Sequence, residues 1–121
     1  MTLSQAIERI DGLIHNTYSQ EEKIRWLSQV DGQVYADVIA THEGGISFQP
    51  YDDRTPLEQM LLVPEPYDEL YLHYLEAQMA YYQDEADAYN RAMSMYQALL
   101  TAFTNHYNRT HMPLAQRFRY F

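Results

Sequence analysis

An all-α fold of about four helices, arranged as a small bundle with a long C-terminal helical hairpin, is what this sequence predicts. Three observations lead there. Capping signatures open two amphipathic stretches in the first third of the chain. Four of the five prolines and two of the four glycines are gathered into one irregular region in the middle, and the run from Tyr67 to Met112 contains neither. At 121 residues, 46% apolar and 21% charged, the chain suits a single soluble globular domain.

The elements follow in order. Thr2-Leu3-Ser4-Gln5 fits a capping box, in which the Thr2 hydroxyl accepts from the amide three residues on and Gln5 reaches back. Leu3, Ala6, Ile7, Ile10 and Ile14 then recur at three- and four-residue spacing, so a helix is expected to end near His15-Asn16. Ser19-Gln20-Glu21-Glu22 repeats the capping signature. It opens a second helix with Ile24, Leu27, Val34 and Val38 on one stripe, widened by Trp26, Val30, Tyr35 and Ile39. Gly32, inside this helix, marks a close helix contact or a small bend, and the helix stops before Gly44-Gly45.

Residues 43–66 form an irregular arm, broken by Gly44, Gly45, Pro50, Pro56, Pro64 and Pro66. Within it, Ile46 to Gln49 suits a short extended segment and Thr55 to Leu62 a turn of helix. A loop of this length reads as functional or as an interaction arm. Beyond it, one unbroken helix from Tyr67 to Met112 would be ~60 Å long at 1.5 Å per residue. The apolar phase argues for two helices instead. Leu70, Tyr71, Tyr74, Leu75, Gln78, Tyr81 and Tyr82 lie on one stripe, and Tyr89, Met93, Tyr96, Leu100, Phe103 and Tyr107 on another that is out of register with it. The turn therefore belongs at Gln83-Asp84-Glu85, with a third helix to about Tyr82 and a fourth from Asp84 or Glu85. Asp84, Glu85 and Asp87 complement the positive end of the fourth helix, and Arg109 its negative end.

Charge is divided along the chain. All 17 acids lie at or before Asp87, where only Arg9, Lys23, Arg25 and Arg54 oppose them, giving −13. The remainder has no acid and carries Arg91, Arg109, Arg117 and Arg119, giving +4 and the net −9. So acidic a body disfavours direct phosphate binding, although an acidic wall lets a duplex pass without holding it. The basic end closes in Arg117-Phe118-Arg119-Tyr120-Phe121 after Pro113. An extended chain there puts arginines on one side and aromatics on the other. Residues 1–113 thus read as one helical domain and 114–121 as a docking tail.

Catalysis finds no footing. There is no cysteine, no glycine-rich phosphate loop and no nucleophile elbow. The five histidines lack ligand spacing, and Asp52-Asp53 and Asp84-Glu85-Asp87 lack the alternation of a calcium loop. No metal and no cofactor is expected. No apolar run is long enough to span a bilayer, so synthesis in the cytoplasm is expected. Tyrosine is the compositional anomaly, with 12 residues. Tyr71, Tyr74, Tyr89 and Tyr96 read as core between the last two helices, and Tyr82 and Tyr120 as contacts for a partner. The partner-binding set is accordingly Tyr82, Arg109, Arg117, Phe118, Arg119, Tyr120 and Phe121.

Three runs resemble a known family. Glu22-Lys23-Ile24-Arg25-Trp26-Leu27, with Asp31-Gly32 and Val34-Tyr35, is similar to the second helix of small prophage proteins encoded between capsid and tail genes. The run from Val63 to Ala77 (Val-Pro-Glu-Pro-Tyr-Asp-Glu-Leu-Tyr-Leu-His-Tyr-Leu-Glu-Ala) resembles their central signature. Tyr107 to Pro113 with the closing Arg-Phe-Arg-Tyr-Phe resembles their ending. These proteins are similar to head–tail connector, or head-completion, proteins of long-tailed phages. The resemblance implies a helical subunit that self-associates into a ring beneath the portal protein, retains packaged DNA and joins tail-side completion proteins. It implies a path from host cytoplasm to the neck of the virion, with DNA passing unbound by sequence and no membrane partner. The competing expectation is an acidic regulatory binding protein, a DNA-mimic inhibitor or antitoxin-like chain.

Overall fold

A computed structural model describes residues 1–42 and 47–112. Among the described residues, four α-helices form: α1 (Leu3–Leu13), α2 (Gln20–Asp37), α3 (Leu70–Tyr82) and α4 (Ala86–Thr110). A short 3₁₀ turn, Ile39–Thr41, follows α2. The all-α expectation holds. No strand is formed among the described residues, only one isolated bridge between Thr2 and Met60.

Local chemistry explains the helix starts. The Gln5 amide donates to Thr2 Oγ1 at 3.1 Å while Thr2 N–H donates to Gln5 Oε1 at 2.9 Å, so the capping box closes both ways. At Ser19 it closes one way only. The hydroxyl accepts from Glu22 N–H at 3.1 Å, but the Glu22 carboxylate turns to a two-pronged pair with Arg25 at 2.6 and 2.7 Å. α1 ends at Leu13, about a turn before the expected His15-Asn16 boundary. The Asn16 side chain there bonds Asp11 and the Ile14 carbonyl, satisfying groups that another helical turn would have used.

The core gathers Leu3, Ile10, Trp26, Leu27, Val30, Val34, Val63, Leu70, Tyr71, Leu75 and Met79, all but sealed from water. α3 lies at its centre, touching α1, α2 and α4. This revises the single stripe drawn for α3. Leu72, Ala77, Met79 and Ala80 are buried as well as Leu70, Tyr71 and Leu75, because neighbours cover α3 on nearly every side. Tyr81, grouped with that stripe, is instead 62% exposed.

The described part of the arm, residues 47–66, is irregular as expected and lies on the body. Tyr51, Leu61 and Val63 enter the core, and Phe48 stacks on Tyr35. The arm also receives α1's first amides: Leu3 N–H donates to Gln59 O and Ser4 N–H to Leu57 O, each at 3.0 Å. Thr55 to Leu62 makes turns rather than helix. The Ile46–Gln49 segment shows no regular structure over Ser47–Gln49, and Ile46 lies outside the described residues. Phe48 is also the side chain facing Gly32, with Cε2 3.8 Å from where a Cβ would stand. The neighbour at Gly32 is therefore the arm and not another helix.

The hairpin turn falls where the out-of-register stripes placed it. Asp84 N–H donates to Tyr81 O at 3.2 Å and Glu85 N–H to Ala80 O at 2.9 Å. With Asp84 at φ 60°, this is the left-handed closure that satisfies a helix's last carbonyls. Glycine usually occupies that position, and Asp is among the few other residues that tolerate it.

Candidate functional site: the two ends of the helical hairpin

Two surfaces of the hairpin carry unspent chemistry, one at each end of α4. At the turn, Tyr82 is 59% exposed, with its ring stacked 6.1 Å from Trp26. Trp26 is buried and held edge-on by Tyr18 at 5.3 Å, so α2 gives the turn a rigid floor. Tyr81 stands edge-on to Tyr82 at 5.1 Å and tilts toward Tyr89 of α4 at 5.9 Å. With Asp84 and Glu85, these rings line an open groove of about 480 Å³. No basic residue lines it.

The far end is bolted down. His42, buried just after the 3₁₀ turn, places Nδ1 2.6 Å from the Val38 carbonyl and Nε2 2.8 Å from Asn108 Oδ1. Its ring meets Tyr107 edge-on at 4.8 Å, and His111 stacks flat on the other side of the pair at 3.7 Å from Tyr107. This clip ties the end of α2 to the last turn of α4, so the point where the chain leaves toward Pro113 is fixed. Arg109 is exposed on that last turn, and Met112 is exposed beside it.

Between the ends, α4 is an edge helix. Only Ala92, Tyr96 and Phe103 of its 25 residues are fully buried. Its outward residues from Ser94 to Asn105 are Ser94, Met95, Gln97, Ala98, Thr101 and Asn105, and none is charged. In a chain of net charge −9, that stretch of bare, neutral helix stands out. A shallow groove of about 250 Å³ beside it runs between α2 and α4, floored by Val34, Val38 and Leu100.

Of the expected partner-binding residues, Tyr82 and Arg109 are both exposed, but the structure keeps them apart. They stand at opposite ends of a helix about 36 Å long at 1.5 Å per residue. Arg117, Phe118, Arg119, Tyr120 and Phe121 lie outside the described residues. Of the four tyrosines assigned to the core, Tyr71 and Tyr96 are sealed, whereas Tyr74 and Tyr89 are only half-buried. Among the described residues, no three acidic or histidine side chains gather as metal ligands, and no helix is long and apolar enough to cross a membrane.

A buried polar centre escaped the sequence reading. Asp31 of α2 is sealed in the core, where Oδ1 accepts from Tyr71 Oη at 2.5 Å. Its Oδ2 accepts from Tyr51 Oη at 2.7 Å and from Leu62 N–H at 3.0 Å. Tyr71 Oη in turn accepts from Val63 N–H at 2.8 Å. Burial pushes the Asp31 carboxyl above its ordinary range, against the bonds from Tyr71, Tyr51 and Leu62, and pushes Tyr71 well up too. Asp31, Tyr51 and Tyr71 are all partnered, so the network pins the arm to α2 and α3. No family model, curated protein or solved structure matches the chain.

Proposed function

We propose that this chain is a structural subunit of a phage or prophage particle, a head–tail connector that assembles as a ring under the portal. The observation that carries the reading is the uncharged stretch from Ser94 to Asn105 on the outer face of α4. Charge is depleted at the centre of protein interfaces and abundant elsewhere on a soluble surface, so a neutral helical face on an acidic protein suits contact with another subunit. The resemblance of the runs at 22–35, 63–77 and 107–121 to connector proteins supplies the biological setting. An acidic body is compatible with it, since a lumen wall poor in cations does not trap a passing duplex by counterion release.

Chemically, the described residues offer docking surfaces rather than a reaction centre. The buried cluster around Asp31 is occupied with holding the fold. The proposed partners are further copies of the chain, the portal protein and tail-side completion proteins, with the particle neck as final location.

Capture of tagged protein from cells with an induced prophage tests the assignment. Portal and tail-completion proteins in the eluate are expected. A nuclease or polymerase in their place would overturn the connector and favour an acidic inhibitor, whose complex would dissolve steeply as salt rises.

A further inference from the structure

The groove at the hairpin turn has walls of two kinds. Tyr81, Tyr82 and Tyr89 present ring faces and edges, and Asp84 and Glu85 present carboxylates. Rings beside carboxylates recognise a guanidinium doubly, by stacking and by charge-assisted hydrogen bonds. The chain contains a segment of matching chemistry, Arg117-Phe118-Arg119-Tyr120-Phe121, in which arginines and aromatics alternate. Extended, it offers cations along one edge and rings along the other, one edge for each wall.

Reach decides whose segment fills the groove. The groove is built on the first turn of α4 and the segment follows its last, so Asp84 and Glu85 lie about 36 Å or more from Thr110 at 1.5 Å per residue. Arg117 is seven residues past Thr110, a span of at most about 25 Å at full extension, and Arg119 at most about 32 Å. Reversing direction after Thr110 shortens both. The His42–Asn108 clip holds the departure point in place.

We propose that residues 114–121 of one copy seat in the Tyr81–Tyr82–Tyr89 groove of the next, with Arg117 and Arg119 against Asp84 and Glu85. The inference rests on the reading of this chain as a self-assembling subunit and names the contact that links the copies. Because donor and acceptor are different surfaces, the contact is heterologous, and heterologous contacts close into rings or run on as filaments. A ring then follows from the subunit's own two ends.

Sedimentation velocity of the full chain over a wide concentration range tests this. The wild type is expected to associate, and to do so more weakly at high salt. Arg117→Glu with Arg119→Glu, and separately Glu85→Arg, are each expected to weaken association on the order of tenfold or more. A chain carrying all three changes is expected to recover much of it. Asp84→Gly with Glu85→Gln guards against misfolding, since glycine suits the left-handed position; it should keep full helicity and still lose association. A wild type that stays monomeric throughout, or reversals that associate like the wild type, overturns the contact. Neither result touches portal capture, on which the connector reading stands or falls separately.

Discussion

α3 and α4 are joined by a three-residue turn and pack along one another, yet they are built for different neighbours. α3 is the shorter, and side chains from α1, α2, α4 and the arm surround it. α4 is about twice as long, buries Ala92, Tyr96 and Phe103 completely, and leaves its far side bare and, from Ser94 to Asn105, uncharged. The difference separates what the monomer needs from what an assembly needs. A helix covered all round stabilises its own fold, whereas a long helix with a thin buried stripe has surface to lend to another chain. On this view, damage near α3 unfolds the protein, and damage on the outer face of α4 leaves the fold intact and stops assembly.

The largest effect is expected at Asp31. Asp31→Asn keeps the shape but turns an amide NH₂ toward groups that already donate, at a cost of about 2–4 kcal/mol in urea unfolding. The pH dependence has a definite sign. Burial raises the folded-state pKa of Asp31, so the folded protein holds that proton more tightly than the unfolded chain does. The resulting stability is fully present below the unfolded value of about 3.9 and is lost as pH rises through the folded value. The wild type's margin over Asp31→Asn should thus be widest in acid and narrower at neutral pH. A margin that grows with pH would mean that the bonds from the two tyrosines and Leu62 outweigh burial.

Next comes the clip at the far end of α4. His42→Ala removes the ring that faces Val38 O and Asn108 Oδ1 and that Tyr107 packs against, at an expected cost of about 2 kcal/mol. Hydrogen exchange should locate the damage, with amides from Tyr107 to Met112 losing protection and those of α3 keeping it. Uniform loss along both helices would refute the idea that the clip serves the end of α4 alone.

A smaller change, in the other direction, is expected at Tyr96. Its ring is sealed at 1% exposure, packed 5.1 Å from Tyr74, and its hydroxyl has no hydrogen-bond partner among the described residues. Burial accordingly pushes its ionisation well up. Tyr96→Phe removes a desolvated, unpaired group and should raise stability by about 1 kcal/mol in thermal or urea unfolding. A fall instead would show that the hydroxyl is partnered.

How far the sequence spoke for these regions follows from how local each signal is. The Thr2 and Ser19 caps depend on neighbours three residues away, and both formed. The turn at Gln83-Asp84-Glu85 was legible because two apolar stripes on one proline-free run cannot share a helix face. The all-round burial of α3 was not, since a helix covered on every side has no phase to read. Asp31 was invisible for a related reason: Tyr51 and Tyr71 are 20 and 40 residues away, and an aspartate after a valine looks like any solvated acid. Tyr81 and Tyr82 are both exposed, although both fit the apolar stripe of α3, because α3 ends at Tyr82. The opposition of Tyr82 and Arg109 along α4 needed the folded hairpin, since both had been placed in one partner-binding set without a distance between them.

The smallest effect on stability is the most informative about the comparison. Thr101→Glu and Ala98→Glu each place a carboxylate on the exposed face of α4. Glutamate is a good helix former, so unfolding free energy should move by less than about 0.5 kcal/mol. A like charge brought into a contact between acidic subunits, however, must be desolvated without a partner, which an interface tolerates poorly. Self-association and portal capture should therefore fail while circular dichroism and melting stay those of the wild type. If both variants assemble normally, the bare face of α4 is plain solvent-facing helix. The proposed contacts would then have to run through the ends of the hairpin alone, where the charge reversals at Glu85, Arg117 and Arg119 would carry the whole effect.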